Sequence, residues 1–357
     1  MTEFKEMSQY EHMTKKRPPQ VFDITFVGAG PTGLFGAFYA GLREMSVKVI
    51  DTLPQPGGQL TVLYPDKTIY DVPGFPAIRA KDLVDHLVEQ ASQWNPSMAL
   101  GERALNLHRE PLPGGEPGEE CWVIQTDKAR HFTHTVIVSA GIGAFQPIIL
   151  KNESVERWQG NGVEYIVNDP DDYREKRVLV IGGGDSAVDW ALALEPLAKH
   201  VTLIHRRAGF RAHDSSVNAL LESDVDVLVF YELREFQGDT HPDRAVIFDN
   251  RTQEETTLEI DAAILALGFR ADLGPIREWG LETIGRRYLK VNSKMETNLP
   301  GVFAAGDLAL QEELDPLNLI VVGFGQVTVA VNYAYIVIKP GGKVFPGHSS
   351  EKMSEKT

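Results

Sequence analysis

Apolar and polar positions along the chain switch between two periods, and the switch occurs twice in the same way. The β-rich run Val21-Phe22-Asp23-Ile24-Thr25-Phe26-Val27 enters the turn Gly28-Ala29-Gly30-Pro31-Thr32-Gly33. Apolar residues then recur at helical spacing to about Gly41, and a second run, Val47-Lys48-Val49-Ile50, ends in Asp51. The pattern returns at Arg177-Val178-Leu179-Val180-Ile181 and turns through Gly182-Gly183-Gly184-Asp185-Ser186-Ala187. A predicted helix over 188–197 follows, then Val201-Thr202-Leu203-Ile204, ending in His205. In each copy 23 positions separate the first glycine from the residue that closes the second strand. Two βαβ units of one design are therefore expected.

Short alternating segments follow each unit and predict strands at 104–109, 121–126 and 132–138 in the first half, and at 225–236, 244–248 and 256–260 in the second. The stretch 111–120, PLPGGEPGEE, reads as a hairpin loop. Each half closes with an apolar strand running into glycine, Val136-Ile137-Val138-Ser139-Ala140-Gly141 and Ala262-Ala263-Ile264-Leu265-Ala266-Leu267-Gly268. The fold expected is α/β, with two nested Rossmann-like dinucleotide-binding domains, each carrying a small β-meander. The first domain would comprise 21–150 and 286–357, the second 151–285, with 1–20 as a loose tail. Only 317–338 raises a membrane question, because it carries no formal charge. Its Gly323-Phe324-Gly325 and the polar Asn318, Gln326 and Asn332 favour a buried strand, turn and helix instead.

Composition narrows the function. Of 357 residues 43% are hydrophobic and 24% charged, as in a globular protein, and the net charge of −15 opposes indiscriminate binding to nucleic acid or anionic membrane. The single cysteine, Cys121, excludes a Cys-x-x-Cys relay and a structural zinc site of the Cys₂ or Cys₄ kind. A reducing, cytoplasmic setting is the expectation.

Chemistry enters through the glycine turns. A Gly-x-Gly-x-x-Gly turn between strand and helix lets backbone approach a pyrophosphate and sets that anion on the helix N-terminus. Gly28, Gly30 and Gly33 meet that pattern, and Asp51 provides a carboxylate where a ribose diol needs an acceptor. In the second copy, Gly182, Gly184 and Ala187 occupy the glycine positions, with alanine a permitted third residue. His205, Arg206 and Arg207, with Arg211 close behind, stand where the carboxylate would be. Guanidinium groups match phosphate oxygens, so this turn is expected to take NADP(H). One resident and one visiting nucleotide then make the first site an FAD site. The string Thr297-Asn298-Leu299-Pro300-Gly301-Val302-Phe303-Ala304-Ala305-Gly306-Asp307 supports it by putting Asp307 where the flavin's ribityl chain and phosphates would pass.

The motifs GAGPTG at 28–33, GGQL at 57–60, YPDKTIYDVPGFP at 64–76, GGGDSAVDWAL at 182–192, HRRxxFRAH at 205–213 and PGVFAAGD at 300–307 together resemble the ferredoxin (or flavodoxin)–NADP reductases of the thioredoxin-reductase-like type. The likeness covers about 20–350. Thioredoxin reductases proper carry a redox dithiol in a segment resembling Gly162-Val163-Glu164-Tyr165-Ile166-Val167-Asn168-Asp169, and here Ile166 and Asp169 replace the cysteines. The resemblance implies a homodimer, non-covalent FAD that itself serves as terminal donor, and ferredoxin or flavodoxin as the one-electron partner. It implies FAD contacts from Pro31, Thr32, Gln59 and Asp307, with Tyr64 against the isoalloxazine, and NADP(H) contacts from Asp185 and Ser186. Backbone N–H groups at Gly325-Gln326-Val327-Thr328 are expected to face the flavin N1/O2 region, and His348 or Phe345 from the C-terminal extension to cover its other face. Hydride transfer to flavin N5 needs no catalytic side chain and no metal. A flavin reductase acting on a quinone or a low-molecular-weight disulfide, and a non-catalytic redox sensor, are the alternatives; no effector segment supports the sensor.

Overall fold

A computed structural model describes residues 19–354 apart from positions 64, 66, 142, 144, 145, 168, 271 and 272. Two compact units emerge, one taking in the chain up to 144 and from 272 onward, the other 145–271. Most of the expected tail, 1–18, lies outside the described residues. The second unit ends at 271, so 273–285 join the first unit rather than the second. Leu273, Ile276, Trp279 and Leu281 are buried in the core of the first unit, where Trp279 Nε1 donates to Leu105 O at 3.2 Å. These four lie in a short 3₁₀ segment and loop, which have no helical or strand period to read.

In the first unit β1 (Val21–Val27) leads through the glycine turn into α1 (Pro31–Leu42) and on to β2 (Val47–Asp51). After α2 (Ala80–Ser92) come β3 (Ser97–Leu100) and the meander β4 (Ala104–Pro111), β5 (Glu120–Thr126) and β6 (Arg130–Val138). The sheet runs β3-β2-β1-β6-β5-β4. Strand β6 serves three partners: it pairs parallel with β1 along one side, and along the other Arg130 to Thr133 pair antiparallel with β5 while Val136 to Val138 pair parallel with the return strand Val302–Ala304. Because its centre is covered on both faces, β1 is apolar almost throughout, and Ile24 and Phe26 are fully buried.

The segment 317–338 departs from expectation, since Ile320–Ile338 is one continuous helix. Of its two glycines Gly323 is a packing position, whereas a Cβ on Gly325 would meet nothing within 4 Å. A Cβ on Gly323 would come within 2.3 Å of Thr32 Oγ1, and one on Gly36 of α1 within 2.5 Å of Val327 Cγ2, so the two helices cross too closely for side chains at these points. By length and composition alone the helix could cross a membrane, yet Gly323, Val327, Ala330, Val331, Asn332 and Ala334 are buried in the unit.

The second unit repeats the design. Its parallel sheet has the order β7-β14-β8-β9-β10, built from β7 (Val163–Glu164), β8 (Arg177–Gly182), β9 (His200–His205), β10 (Asp226–Val229) and β14 (Ala262–Ala266), with α3 (Asp185–Leu194) following β8. A separate antiparallel meander comprises β11 (Tyr231–Gln237), β12 (Arg244–Asp249) and β13 (Glu255–Glu259). The single strand expected over 225–236 is thus two strands in two sheets. Phe230 breaks it with φ of 68°, a left-handed conformation costly for an aromatic residue. The Arg251 guanidinium lies 4.0 Å from the Phe230 ring centroid, and Phe230 O accepts from Asn250 N–H at 2.8 Å.

Candidate dinucleotide sites

The first turn is assembled around backbone. Gly28 has φ of 116°, and a Cβ there would overlap Ser139 O at 2.4 Å. One on Gly33 would sit 1.9 Å from Gly28 O, so both glycines are needed to bring strand and helix together. Gly30 differs, because a Cβ there would meet nothing within 4 Å and its φ is an ordinary −71°. The fold does not need a glycine at 30, and the open side of that backbone leaves room for a ligand to approach. Gly30 is also the N-cap of α1 and has no side chain with which to cap it, and Pro31 is among the first helical residues, so the first-turn N–H groups are left for an anion.

Around this turn the structure gathers Asp51, Gln59, Asp307 and Gln326. Asp51 Oδ2 accepts the Ala29 N–H and Oδ1 the Leu53 N–H at 2.8 Å, and burial pushes its carboxyl pKa above the ordinary value. The Gly57-Gly58-Gln59 turn leans on the motif: Gly57 N–H donates to Ala29 O at 2.8 Å, and a Cβ on Gly58 would stand 3.1 Å from Gly30 Cα. Gln59 Nε2 is 3.5 Å from Asp307 Oδ2, the one hydrogen-bond partner of that carboxylate among the described residues. Burial raises the Asp307 pKa too, with the bond from Gln59 opposing it. Two part-buried carboxylates, each with acceptor capacity to spare, fit the hydroxyl-rich ribose and ribityl portions of FAD. Thr32 packs its hydroxyl side against Gly306, whose N–H donates to Gln326 Oε1 at 2.8 Å.

Other expected contacts fare differently. Tyr64 lies outside the described residues. The long helix starts at Ile320, so the N–H groups of 325–328 fall inside it, where carbonyls four residues earlier take them up. The donor role expected of that backbone is thereby corrected: Gln326 reaches the site through its side chain, and the Thr328 hydroxyl donates to Phe324 O at 2.8 Å. His348 and Phe345 are both exposed and meet edge to face with centroids 5.5 Å apart. Sequence reading passed over Ser139, whose Oγ donates to Gly28 O at 3.0 Å and helps hold the turn. A lone serine after an apolar strand carries no signal of that role.

The second turn has the same logic with opposite charge. A Cβ on Gly182 would meet Ala266 O at 2.3 Å, whereas one on Gly184 would meet nothing within 4 Å. Gly184 is the N-cap of α3, Ala187 is buried beneath the turn, and half-buried Ser186 follows Asp185 in the first helical turn. Asp185 Oδ1 accepts the His213 N–H at 3.1 Å, and Arg211 N–H donates to Gly183 O at 2.8 Å, which fastens the basic loop to the glycine turn. His205 turns inward rather than toward a ligand. Its ring lies under Gly183, where a Cβ would come within 2.1 Å, and stacks on Phe210 with centroids 5.1 Å apart. Burial, with Arg206, Arg207 and Arg211 nearby, lowers its pKa, so it supports the loop as a neutral ring. The side chains of Arg206, Arg207 and Arg211 are exposed, and none forms an ion pair among the described residues. Asn250 Nδ2 holds Arg206 O at 2.9 Å. Where a dithiol would lie, Ile166 is half-buried, and exposed Asp169 caps the 3₁₀ turn Pro170–Tyr173 through Asp171 N–H at 2.9 Å.

Two dinucleotide cradles of common design in one chain define an oxidoreductase that couples two nucleotide cofactors. The chain belongs to the pyridine nucleotide-disulphide oxidoreductase family, whose profile matches residues 22–334. It is 51% identical over 337 residues to a ferredoxin–NADP reductase of Symbiobacterium thermophilum, covering 94% of this chain and 98% of the relative. It is 46% identical over 340 residues to one of Thermus thermophilus, covering 94% and 98%. Among solved structures, thioredoxin reductase from Lactococcus lactis superposes with a TM-score of 0.72 at 25% identity, over 89% of this chain and 99% of that one. The T. acidophilum enzyme shares the fold at a TM-score of 0.72 and 24% identity, over 88% and 97%.

Proposed function

We propose that this chain is an FAD-dependent ferredoxin–NADP reductase, passing electrons between NADP(H) and ferredoxin or flavodoxin. The observation that carries the reading is the pairing of an acidic and a basic cradle in a chain whose dithiol positions hold Ile166 and Asp169. Relatives at 45–51% identity that bear the name ferredoxin–NADP reductase support it. FAD, once bound, supplies the conversion between a two-electron hydride and single electrons. The residues supply binding and orientation. First-turn N–H groups of α1 hold a pyrophosphate, and Asp51 accepts a ribose diol. Asp307, steadied by Gln59, accepts ribityl hydroxyls, and Gln326 fixes the Gly306-Asp307 turn. In the second unit Arg206, Arg207 and Arg211 take the 2′-phosphate while Gly184 admits the pyrophosphate. Tyr64 and the ring pair Phe345 and His348 would supply the aromatic cover of the isoalloxazine when FAD is bound. We further place the enzyme in the cytoplasm as a homodimer, bound to neither membrane nor nucleic acid.

The test is NADPH-dependent reduction of cytochrome c by the yellow protein, with and without catalytic ferredoxin. Strong stimulation by ferredoxin is expected. An unchanged rate, with quinone or a small disulfide turned over faster, would make the chain a small-molecule flavin reductase instead.

A further inference from the structure

Arg43 closes the C-terminal end of α1 and is 7% exposed, an unusual place for a guanidinium. No carboxylate among the described residues pairs with it. Its partners are neutral oxygens and one ring. Nη1 donates to Asn332 Oδ1 and, at 2.6 Å, to Val344 O, while Nη2 donates to Lys343 O at 2.7 Å. The guanidinium carbon lies 3.7 Å from the Tyr335 ring centroid. Asn332 is held in turn through Nδ2, which donates to Thr328 O at 2.9 Å. A planar fork is the side chain suited to grasp two successive carbonyls while stacking on an aromatic face, and an ammonium cannot do both.

The two carbonyls belong to the point where the chain, having left the long helix, begins its final stretch. Val344 and Phe345 are 42% and 62% exposed, and the last helix, Ser349–Ser354, lies beside α1. Pro346 and Gly347 follow the clamp and separate it from that last helix. Desolvating a cation costs several kcal/mol unless its partners compensate. The compensation here comes largely from backbone that loses its place if the segment swings away.

We propose that Arg43 is a positioning residue: by clamping the carbonyls of Lys343 and Val344 to the end of α1, it sets where the segment bearing Phe345 and His348 departs. This rests on the reading that those rings cover the flavin. The segment and the first glycine turn are then tied to opposite ends of one helix, the N-terminus of α1 facing the pyrophosphate and its C-terminus holding the cover.

Trypsin reads the clamp directly, because the Lys343–Val344 peptide bond is a tryptic site whose carbonyl must leave Arg43 to enter a protease's oxyanion hole. In FAD-loaded Arg43→Ala, cleavage at that bond, followed by mass spectrometry, is expected to rise at least roughly tenfold, since a charged hydrogen bond is lost at each carbonyl. Cleavage at sites elsewhere should be unchanged. If Arg43→Ala gives no yellow protein, Arg43→Lys is read in the same way, with a smaller rise. The second arm is stopped-flow flavin reduction by NADPH in wild type, Arg43→Ala, a chain ended at Lys343, and that chain with Arg43→Ala. The substitution should shift the rate toward that of the shortened chain and add nothing within it. Unchanged cleavage in the substituted protein, or an equal effect of the substitution in the full and shortened chains, would overturn the proposal. Faster cleavage with full and shortened chains reduced at one rate would uphold the clamp and reject the covering role of the rings.

Discussion

The two glycine turns separate what the fold requires from what the ligand requires. In both, glycines are forced by packing, Gly28 and Gly33 in the first and Gly182 and Gly183 in the second, and another, Gly30 or Gly184, faces open space. The turns differ at the strand end 23 positions on. In the first unit that residue is Asp51, part-buried, with backbone N–H groups on both carboxylate oxygens. In the second it is His205, buried as a neutral support beneath Gly183 while exposed arginines follow. On the proposed assignment a shared cradle would handle the pyrophosphate both nucleotides have, and a few residues at the strand end would read the group in which they differ.

The largest effect that bears on this comparison is expected at Asp307. Asp307→Ala should weaken FAD binding about 10- to 100-fold, on the order of 1.5–3 kcal/mol for a charged hydrogen bond, measured by flavin retention on dialysis. Unchanged affinity would remove the acidic cradle from the account. Next come the open glycines. Gly30→Ala should reduce FAD binding and Gly184→Ala NADPH binding, each by about 1–3 kcal/mol of overpacking against ligand, with little change in thermal stability. Gly33→Ala, with its Cβ 1.9 Å from Gly28 O, should instead destabilise the fold itself. If Gly30→Ala and Gly33→Ala behaved alike, the distinction between packing and ligand glycines would fail.

A smaller effect concerns pH. Burial raises the Asp51 and Asp307 pKa values above 3.8 in the ligand-free protein, whereas ribose and ribityl hydroxyls favour the ionised forms. FAD binding should therefore release protons, and its affinity should fall as pH drops through those raised values, beginning above the ordinary aspartate range. The sign for stability is opposite in the ligand-free protein. A raised folded-state pKa means that the ionised groups oppose folding at neutral pH, and this opposition is relieved on acidification. FAD affinity that stays flat across this range in titration calorimetry would mean that neither carboxylate meets the ligand. Smallest of all is Cys121, which is buried and free. Cys121→Ser should leave ferredoxin-linked turnover unchanged, and the wild type should not reduce thioredoxin; appreciable thioredoxin turnover would require a dithiol this chain lacks.

Legibility in the sequence followed periodicity. The βαβ units, the meanders and the charge contrast were readable because strand alternation, glycine spacing and side-chain charge are local properties. The continuous helix over Ile320–Ile338 was not, because Gly323 and Gly325 resemble a break and the packing of Gly323 on Thr32 is a contact between distant parts of the chain. Phe230 hid the division of one strand into two, since nothing local in an aromatic residue announces a positive φ. His205 shows the same limit within the site: its place beside the arginines was legible, but its inward turn depends on the absent side chain of Gly183. Arg43 had no motif around it, because its carbonyl partners lie about 300 positions away.

The most direct test of the central claim, that charge at the strand end assigns the nucleotides, is the ratio of kcat/KM for NADPH to that for NADH in Arg206→Ala/Arg207→Ala, with FAD content determined on the same samples. The account predicts that NADPH falls about 100- to 10,000-fold, from the loss of two charged hydrogen bonds of roughly 1.5–3 kcal/mol each, while NADH and bound FAD stay near wild type. Equal losses for the two coenzymes, or loss of FAD from the first unit, would contradict it.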